Sequence, residues 1–324
     1  MTVIPARAIP VPNSVSQEAQ AVLAMGRLGP PPRELPALDD PAGWKAYVEE
    51  TDGFVRSMVG DATEGFKGSI EERDLGPCRL YVVTPDDVAD EDRRVFFDVH
   101  GGAWVLGGGE LCKRTTIASA TAVRARTWSL DYRMPPDHPF PVPLDDCLRA
   151  YKVLLDERHP SEIIVGGASA GGNLAAAMVL RARDEGVPLP AAVIFNTGAF
   201  DLTGSGDTWL TNDGLDSVLS GPVEPCTELY AGGHDRREPY ISPLFADLTG
   251  FPPAIFLTGT RDRLLSDNVR MHRALRKAGV HAELHVWEAA SHGGFLGMAP
   301  EDAERFEEMR RFAETHWAGV RLAE

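Results

Sequence analysis

The feature that most constrains this chain is a repeated alternation of short, almost continuously apolar runs with longer helical stretches. TWSLDYR is followed by LDDCLRAYKVLLDE, EIIVGG by NLAAAMVLRARDEG, and PAIFLTG by NVRMHRALRKAG, with AAVIFNT between the second and third pairs. HAELHVW then leads into EDAERFEEMRRFAETHW. A strand that is apolar along its whole length, and not only at every second residue, has to be covered on both faces. Strands that alternate with helices in this way build a parallel sheet with helices on each side. Upstream, CRLYVVTP and RVFFDVH are also β-branched and aromatic, and turn residues bound them. The sequence therefore predicts an α/β fold with a mostly parallel central sheet.

Two segments stand outside that alternation. The first seventy residues hold amphipathic helical patches, SQEAQAVLAMGRLG and GWKAYVEETDGFVRSMVG, separated by the proline-rich GPPPRELP, and show no strand alternation. The stretch from Phe200 to about Phe251, between AAVIFNT and PAIFLTG, is far longer than an ordinary connection. The expected division is a cap segment at 1–70, a core at 71–199 and 252–324, and a cap insertion at 200–251.

With 324 residues, 43% hydrophobic and 25% charged, the chain can bury a large core. A formal net charge of −16 argues against nucleic acid, whose phosphates need a basic footprint. Cys78, Cys112, Cys147 and Cys226 are scattered without C-x-x-C or zinc spacing, so they read as buried thiols in a reducing, cytoplasmic compartment. The N-terminus lacks an apolar run of signal-peptide length and carries Pro5, Pro10 and Pro12. No stretch approaches the ~18 uninterrupted apolar residues of a membrane span. Metal and cofactor motifs are likewise not expected.

The chemistry is concentrated in a few places. Gly167-Ala168-Ser169-Ala170-Gly171 is a G-x-S-x-G sequence set directly between the strand IIVGG and the helix NLAAAMVL. A serine nucleophile needs that placement: small neighbours allow a sharp turn, and the helix N-terminus favours developing negative charge. The competing reading, a phosphate-binding glycine loop, lacks the Gly-Lys-Ser/Thr that would complete it. His100-Gly101-Gly102-Ala103-Trp104 follows the strand RVFFDV. Acyl transfer needs backbone N–H groups for an oxyanion, and the expected donors are Gly101, Gly102, Ala103 and Ala170. His100 itself is expected to act only structurally.

Of nine histidines, His292 in AASHGGFLG lies just after the last strand, where a glycine loop can present an imidazole over the sheet. His285 lies within that strand and is expected to face outward. The orienting acid should follow the preceding strand, where TGTRDRLLSD offers Asp262 and Asp267. Asp262 is nearer the strand end, and Asp267 resembles a helix-capping residue. The resulting order Ser169, Asp262, His292 is that of α/β-hydrolases. Trp104, Trp209 and Leu215, with Trp44, Tyr47, Phe54 and Met58 from the first segment, are expected to line a substrate pocket or else to glue the cap to the core.

HGGAW, YRMPPDHPFPVPLDDC, GGASAGGNLAAA, TGTRDRL and SHGGF together resemble the bacterial hormone-sensitive-lipase-like esterases, over roughly Arg79 to Trp317. The resemblance implies a capped α/β-hydrolase that acts without metal or organic cofactor on small esters of short to medium acyl chains, with a homodimer as the implied assembly. Three positions depart from the family's commonest pattern. Ala103 replaces a third glycine, Ala168 an acidic residue, and Arg263 the proline after the acid. Amidase, formamidase or lactonase activity on the same triad, and a non-catalytic small-molecule receptor, are the alternatives.

Overall fold

A computed structural model of the chain describes residues 6, 8–29, 34–59 and 64–317. Its centre is an eight-stranded sheet made of β1 (Gly68–Asp74), β2 (Arg79–Pro85), β3 (Val95–Val99), β4 (Arg126–Asp131), β5 (Ile163–Ala168), β6 (Ala192–Asn196), β7 (Ala254–Gly259) and β8 (Ala282–Trp287). The strand order is β1-β2-β4-β3-β5-β6-β7-β8. The pairs β1–β2 and β2–β4 are antiparallel, and every pair from β4–β3 to β7–β8 is parallel.

The apolar strands are covered on both faces, as their composition demands. Phe97, Val165, Phe195 and Phe256 point into one core, where they meet α4 (Val142–Glu157), α5 (Ala170–Asp184) and α8 (Leu265–Lys277) through residues such as Leu144, Met178 and Met271. Their sequence neighbours Phe96, Ile164, Ile194 and Ile255 point into the opposite core with Val123 of α3 (Glu110–Val123) and Met309, Phe312 and Trp317 of α9 (Pro300–Trp317). Successive side chains of one strand thus serve two different cores.

Two core elements differ from the sequence expectation. β1 begins at Gly68, inside the segment expected to lack strands, because GSIEERD has almost no apolar signal. As an edge strand whose side chains are largely exposed, it needs little; charged residues also protect an edge against unwanted pairing. The helix α3 was not evident either. Its ELCKRTTIASATAV contains several poor helix formers, and Thr116 and Thr121 turn their hydroxyls back to the carbonyls of Cys112 and Ile117 at 2.7 and 2.9 Å.

The peripheral segments are attached by specific contacts. Ala19, Val22 and Leu23 of α1 (Gln17–Ala24) pack on Ala289, Ala290, Phe295 and Ala299, beyond β8. Trp44 of α2 (Pro41–Val59) is fully buried with Val105 and Cys226. Between β6 and β7 the chain forms α6 (Thr208–Thr211), α7 (Glu224–Ala231) and connecting turns. Asp267, expected as a helix cap, does something else. The N-cap of α8 is Leu264, and the buried Asp267 carboxylate accepts from Phe200 N (2.8 Å), Asp201 N (2.9 Å) and Trp209 Nε1 (3.0 Å). It clamps the start of the insertion to the core. Asp267→Ala orphans three buried donors, so urea denaturation should show a loss of about 3 kcal/mol or more.

Candidate active site

Ser169 stands at the junction of β5 and α5 with φ 55° and ψ −120°. A residue with a side chain rarely adopts that conformation, and at functional sites the strain persists only where the surroundings enforce it. Here they do. A Cβ on Gly171 would land on the Val99 carbonyl, so only glycine lets α5 approach β3 this closely. The Ser169 N–H donates to Asn196 O at 2.9 Å, which ties the turn to the end of β6. The side chain is consequently held out at the carboxyl end of the sheet, at the N-terminus of a fifteen-residue helix.

The loop after β3 arrives beside it. A Cβ added to Gly101 would lie 3.3 Å from the Ser169 Cβ. Gly102, Ala103 and Trp104 follow with φ 120°, 51° and 64°, a run of left-handed residues that accounts for glycine being the usual residue at 103. Among the described residues the N–H groups of Gly101, Gly102, Ala103 and Ala170 have no protein acceptor. Unspent donors at a loop and a helix N-terminus are what an anionic oxygen requires. His100 Nδ1 lies 2.7 Å from Gly101 O, and its ring stacks on Tyr132, with centroids 4.2 Å apart. Burial holds its pKa below the ordinary value against the pull of the Gly101 carbonyl, so it is a neutral strut of the loop.

His292 and Asp262 meet as the sequence suggested. Nδ1 of His292 lies 3.0 Å from Asp262 Oδ1, with Asp262 wholly buried and His292 8% exposed. Asp262 also accepts from Thr258 Oγ1 (2.6 Å) and Leu264 N (2.9 Å). Burial pulls the His292 pKa down, but the charge and hydrogen bond of Asp262, and then the charge of Asp216, push harder; the balance lies above the ordinary histidine value. His285 is elsewhere: its ring nitrogens face Glu283 and Glu308 at 3.3 and 3.9 Å.

The loop that carries His292 is braced from α9. Asp302 accepts from Phe295 N (3.0 Å) and Gly297 N (2.8 Å), and it pairs with Arg305 at 3.5 Å. Arg305 in turn donates to Asn196 Oδ1 at 2.8 Å. Asn196 thus joins the Ser169 turn, by its carbonyl, to Arg305 of α9, by its side chain, and Asp302 beside Arg305 holds the His292 loop. Sequence reasoning did not find Asn196, Asp302 or Asp216, since each is a single polar residue outside any motif.

Of the expected pocket residues, Trp104 is 3% exposed, stacked on Tyr230 at 5.1 Å and bonded to Asn173 Oδ1 at 3.2 Å. Trp209 is 4% exposed and held by Asp267. Packing, the alternative kept for the cap residues, describes both indoles and Trp44. Leu215 is half-buried and lines a cavity of about 470 Å³ with Ile9, Leu23, Asp213 and Arg261; Ser169 and His292 are not in its walls.

Among the described residues, two groups of three are close enough to share a metal ion, Asp216–Asp262–His292 and His100–Cys112–Asp131. Neither has suitable donors. The carboxylates of the first already accept several N–H bonds, and in the second, burial pushes the Cys112 thiol well up, so that it remains a neutral, weak ligand.

Comparison with known proteins places the chain in a family. A family model described as an alpha/beta hydrolase fold matches residues 96–296. An acetyl-hydrolase of Streptomyces hygroscopicus is 33% identical over 220 residues, which cover 67% of this chain and 73% of the relative. The crystal structure of an esterase E25 superposes with a TM-score of 0.88 at 35% identity, covering 98% of this chain and 99% of that one. An esterase from the bacterial hormone-sensitive lipase (HSL) family does so with a TM-score of 0.78 at 29% identity, covering 93% and 99%. This chain belongs to the α/β-hydrolase fold family and, within it, to the bacterial hormone-sensitive-lipase-like esterases.

Proposed function

We propose that this carboxylic-ester hydrolase cleaves esters of short to medium acyl chains through a Ser169–His292–Asp262 triad and an acyl-enzyme intermediate. The observation that carries the proposal is the buried 3.0 Å contact between His292 Nδ1 and Asp262 Oδ1, together with a serine held at φ 55° whose turn is tied through Asn196 to Arg305, which braces the His292 loop. With Nδ1 donating to Asp262, Nε2 is the free acceptor for the serine proton. Ser169 Oγ attacks the ester carbonyl as His292 takes that proton. The oxyanion then draws on the N–H groups of Ala170 and of the Gly101–Ala103 loop. His292 returns the proton to the departing alcohol, and water releases the acyl group by the reverse path. No step requires a metal or an organic cofactor.

A short to medium acyl range is supported by the similarity to a relative named for acetyl groups. Four free, buried thiols support a cytoplasmic setting. No described helix is long and apolar enough to cross a membrane.

The substrate class is tested by a rate panel of p-nitrophenyl esters from about two to about sixteen carbons, with matching anilides. Rates should be greatest at the short end, and the esters should exceed the anilides; faster anilides would favour an amidase. Ser169→Ala should lose on the order of 10⁴- to 10⁶-fold in kcat, and mass spectrometry after organophosphate treatment should place the adduct on Ser169. A residual rate near that of the parent, or an adduct on another serine, would remove Ser169 as nucleophile.

The pH dependence follows from the sign of the His292 shift. A base whose pKa is raised stays protonated to higher pH, so the acid limb of kcat/KM should lie above the ordinary histidine value of about 6.5. His292→Asn should abolish turnover, whereas His285→Asn, whose ring faces Glu283 and Glu308, should retain most of it.

A further inference from the structure

One buried titratable group beside the triad has no part in the cycle above. Asp216 is 2% exposed and comes from the insertion between β6 and β7, not from the core. Its Oδ1 accepts from Val218 N and Leu219 N, both at 3.0 Å, and its Oδ2 accepts from Arg263 N at 2.9 Å. The His292 N–H reaches both oxygens, at 3.2 and 3.3 Å. A carboxylate surrounded only by N–H donors is arranged as an ionised acceptor.

These contacts join the two loops whose relative position matters most. Arg263 follows the proposed acid directly, and His292 is the proposed base. One side chain therefore fixes the backbone of both. A proline at 263 would have no N–H to give, so this bond depends on the residue that departs from the family's usual pattern. The Arg263 guanidinium reinforces the same join by donating to Trp209 O at 2.9 Å and to Gly221 O. Neighbouring insertion residues follow suit: Asn212 donates to Thr260 O (3.1 Å) and Asp262 O (2.9 Å), and Ser217 Oγ meets Ser291 Oγ at 2.9 Å.

We propose that Asp216 is a positioning residue for the base: through its carboxylate the cap insertion holds the His292 backbone against the Asp262 turn and adds a second negative charge behind the imidazole. The inference rests on the reading of His292 as the general base. The charged groups that face His292 are Asp262 from the β7–α8 turn, Asp216 from the insertion and Arg305 from α9. Asp216 in turn faces His292 and Asp262; burial, with the charge of Asp262, holds its carboxyl above the ordinary value against the lowering pull of the His292 charge and of the Leu219 and Arg263 N–H groups. Arg263 lies alongside but spends its guanidinium on Gly221 and on Asp213 at 3.4 Å. Of the three groups facing His292, the two acids raise its proton affinity and Arg305 lowers it.

The test is the pH profile of p-nitrophenyl butyrate hydrolysis by the full chain. In Asp216→Asn the acid limb of kcat/KM should move to lower pH by roughly one unit, because the imidazole loses an anion that favours its charged form. On the plateau kcat should fall about 10-fold, with KM changing much less, as the base is less well placed. Asp216→Glu keeps the charge and should keep the limb near its original position. A residue with only a structural role would lower the melting temperature and leave the limb where it is, so an unmoved limb in folded Asp216→Asn overturns the proposal. Asp216→Ser retains an acceptor without the charge and answers the same question if the Asn protein does not fold. Failure of both to fold also overturns it, since the residue is then a requirement of folding. His292→Asn measured alongside separates the two levels: if it remains active, the triad reading fails, and if it is inactive while the Asp216→Asn limb is unmoved, only this inference fails.

Discussion

The site depends on one backbone constraint, the strained turn that carries Ser169. A side chain at φ 55° is tolerated because the parallel sheet fixes β5 between β3 and β6, while α5 is pressed so close to β3 that residue 171 has no room for a Cβ. The strain is offset by what surrounds it: α5, with most of its residues buried in the core, and the Ser169 N–H bond to the end of β6. The apolar strands that announce the fold thus also aim the serine.

The second constraint is electrostatic. Two carboxylates and one histidine lie buried together, and a buried charge is costly unless its lone pairs are met. The chain meets that cost with backbone N–H groups from three segments: Leu264 for Asp262, and Arg263, His292, Val218 and Leu219 for Asp216. Opposing them, the buried Arg305 pulls the imidazole's proton affinity back down. The pKa of His292 is therefore a balance among groups from the core, the insertion and the last helix.

How much of this could be read from the sequence depends on whether the signal was periodic, local or solitary. Strands β2 to β8 were legible because each is an apolar run between turn residues. Ser169, His292 and Asp262, the proposed triad, stand out in the sequence because each follows such a run, in a motif. β1 was not, since an exposed edge strand needs no apolar residues, and α3 was not, since its threonines and β-branched residues conceal a helix that tertiary packing imposes. Asp267 was visible as an acid near a helix start, but its three acceptor contacts run to residues 200, 201 and 209, which no local pattern reveals. Asp216 is the extreme case. Its importance lies wholly in Arg263 and His292, 47 and 76 positions away along the chain.

The peripheral segments share a common logic. The loops at the carboxyl edge of the sheet are glycine-rich, because close approach and left-handed turns are required there, and glycine-rich loops cannot hold themselves rigid. Each is braced from outside the core. Packing of α1 holds the Ala289–Phe295 stretch, with Ser16 bonded to Glu301 at 2.7 and 2.8 Å. The loop after β3 is supported by α2, through Trp44 against Val105 and Asp52 accepting from Gly107 N at 3.1 Å. Asn212 and Asp216 of the insertion hold the Asp262 turn. A pocket wall alone would not need these buried polar bonds, since apolar contact suffices to shape a cavity. Their presence makes the peripheral segments a framework for the loops that carry His292 and Asp262, whereas the turn of Ser169 is aimed by the core itself.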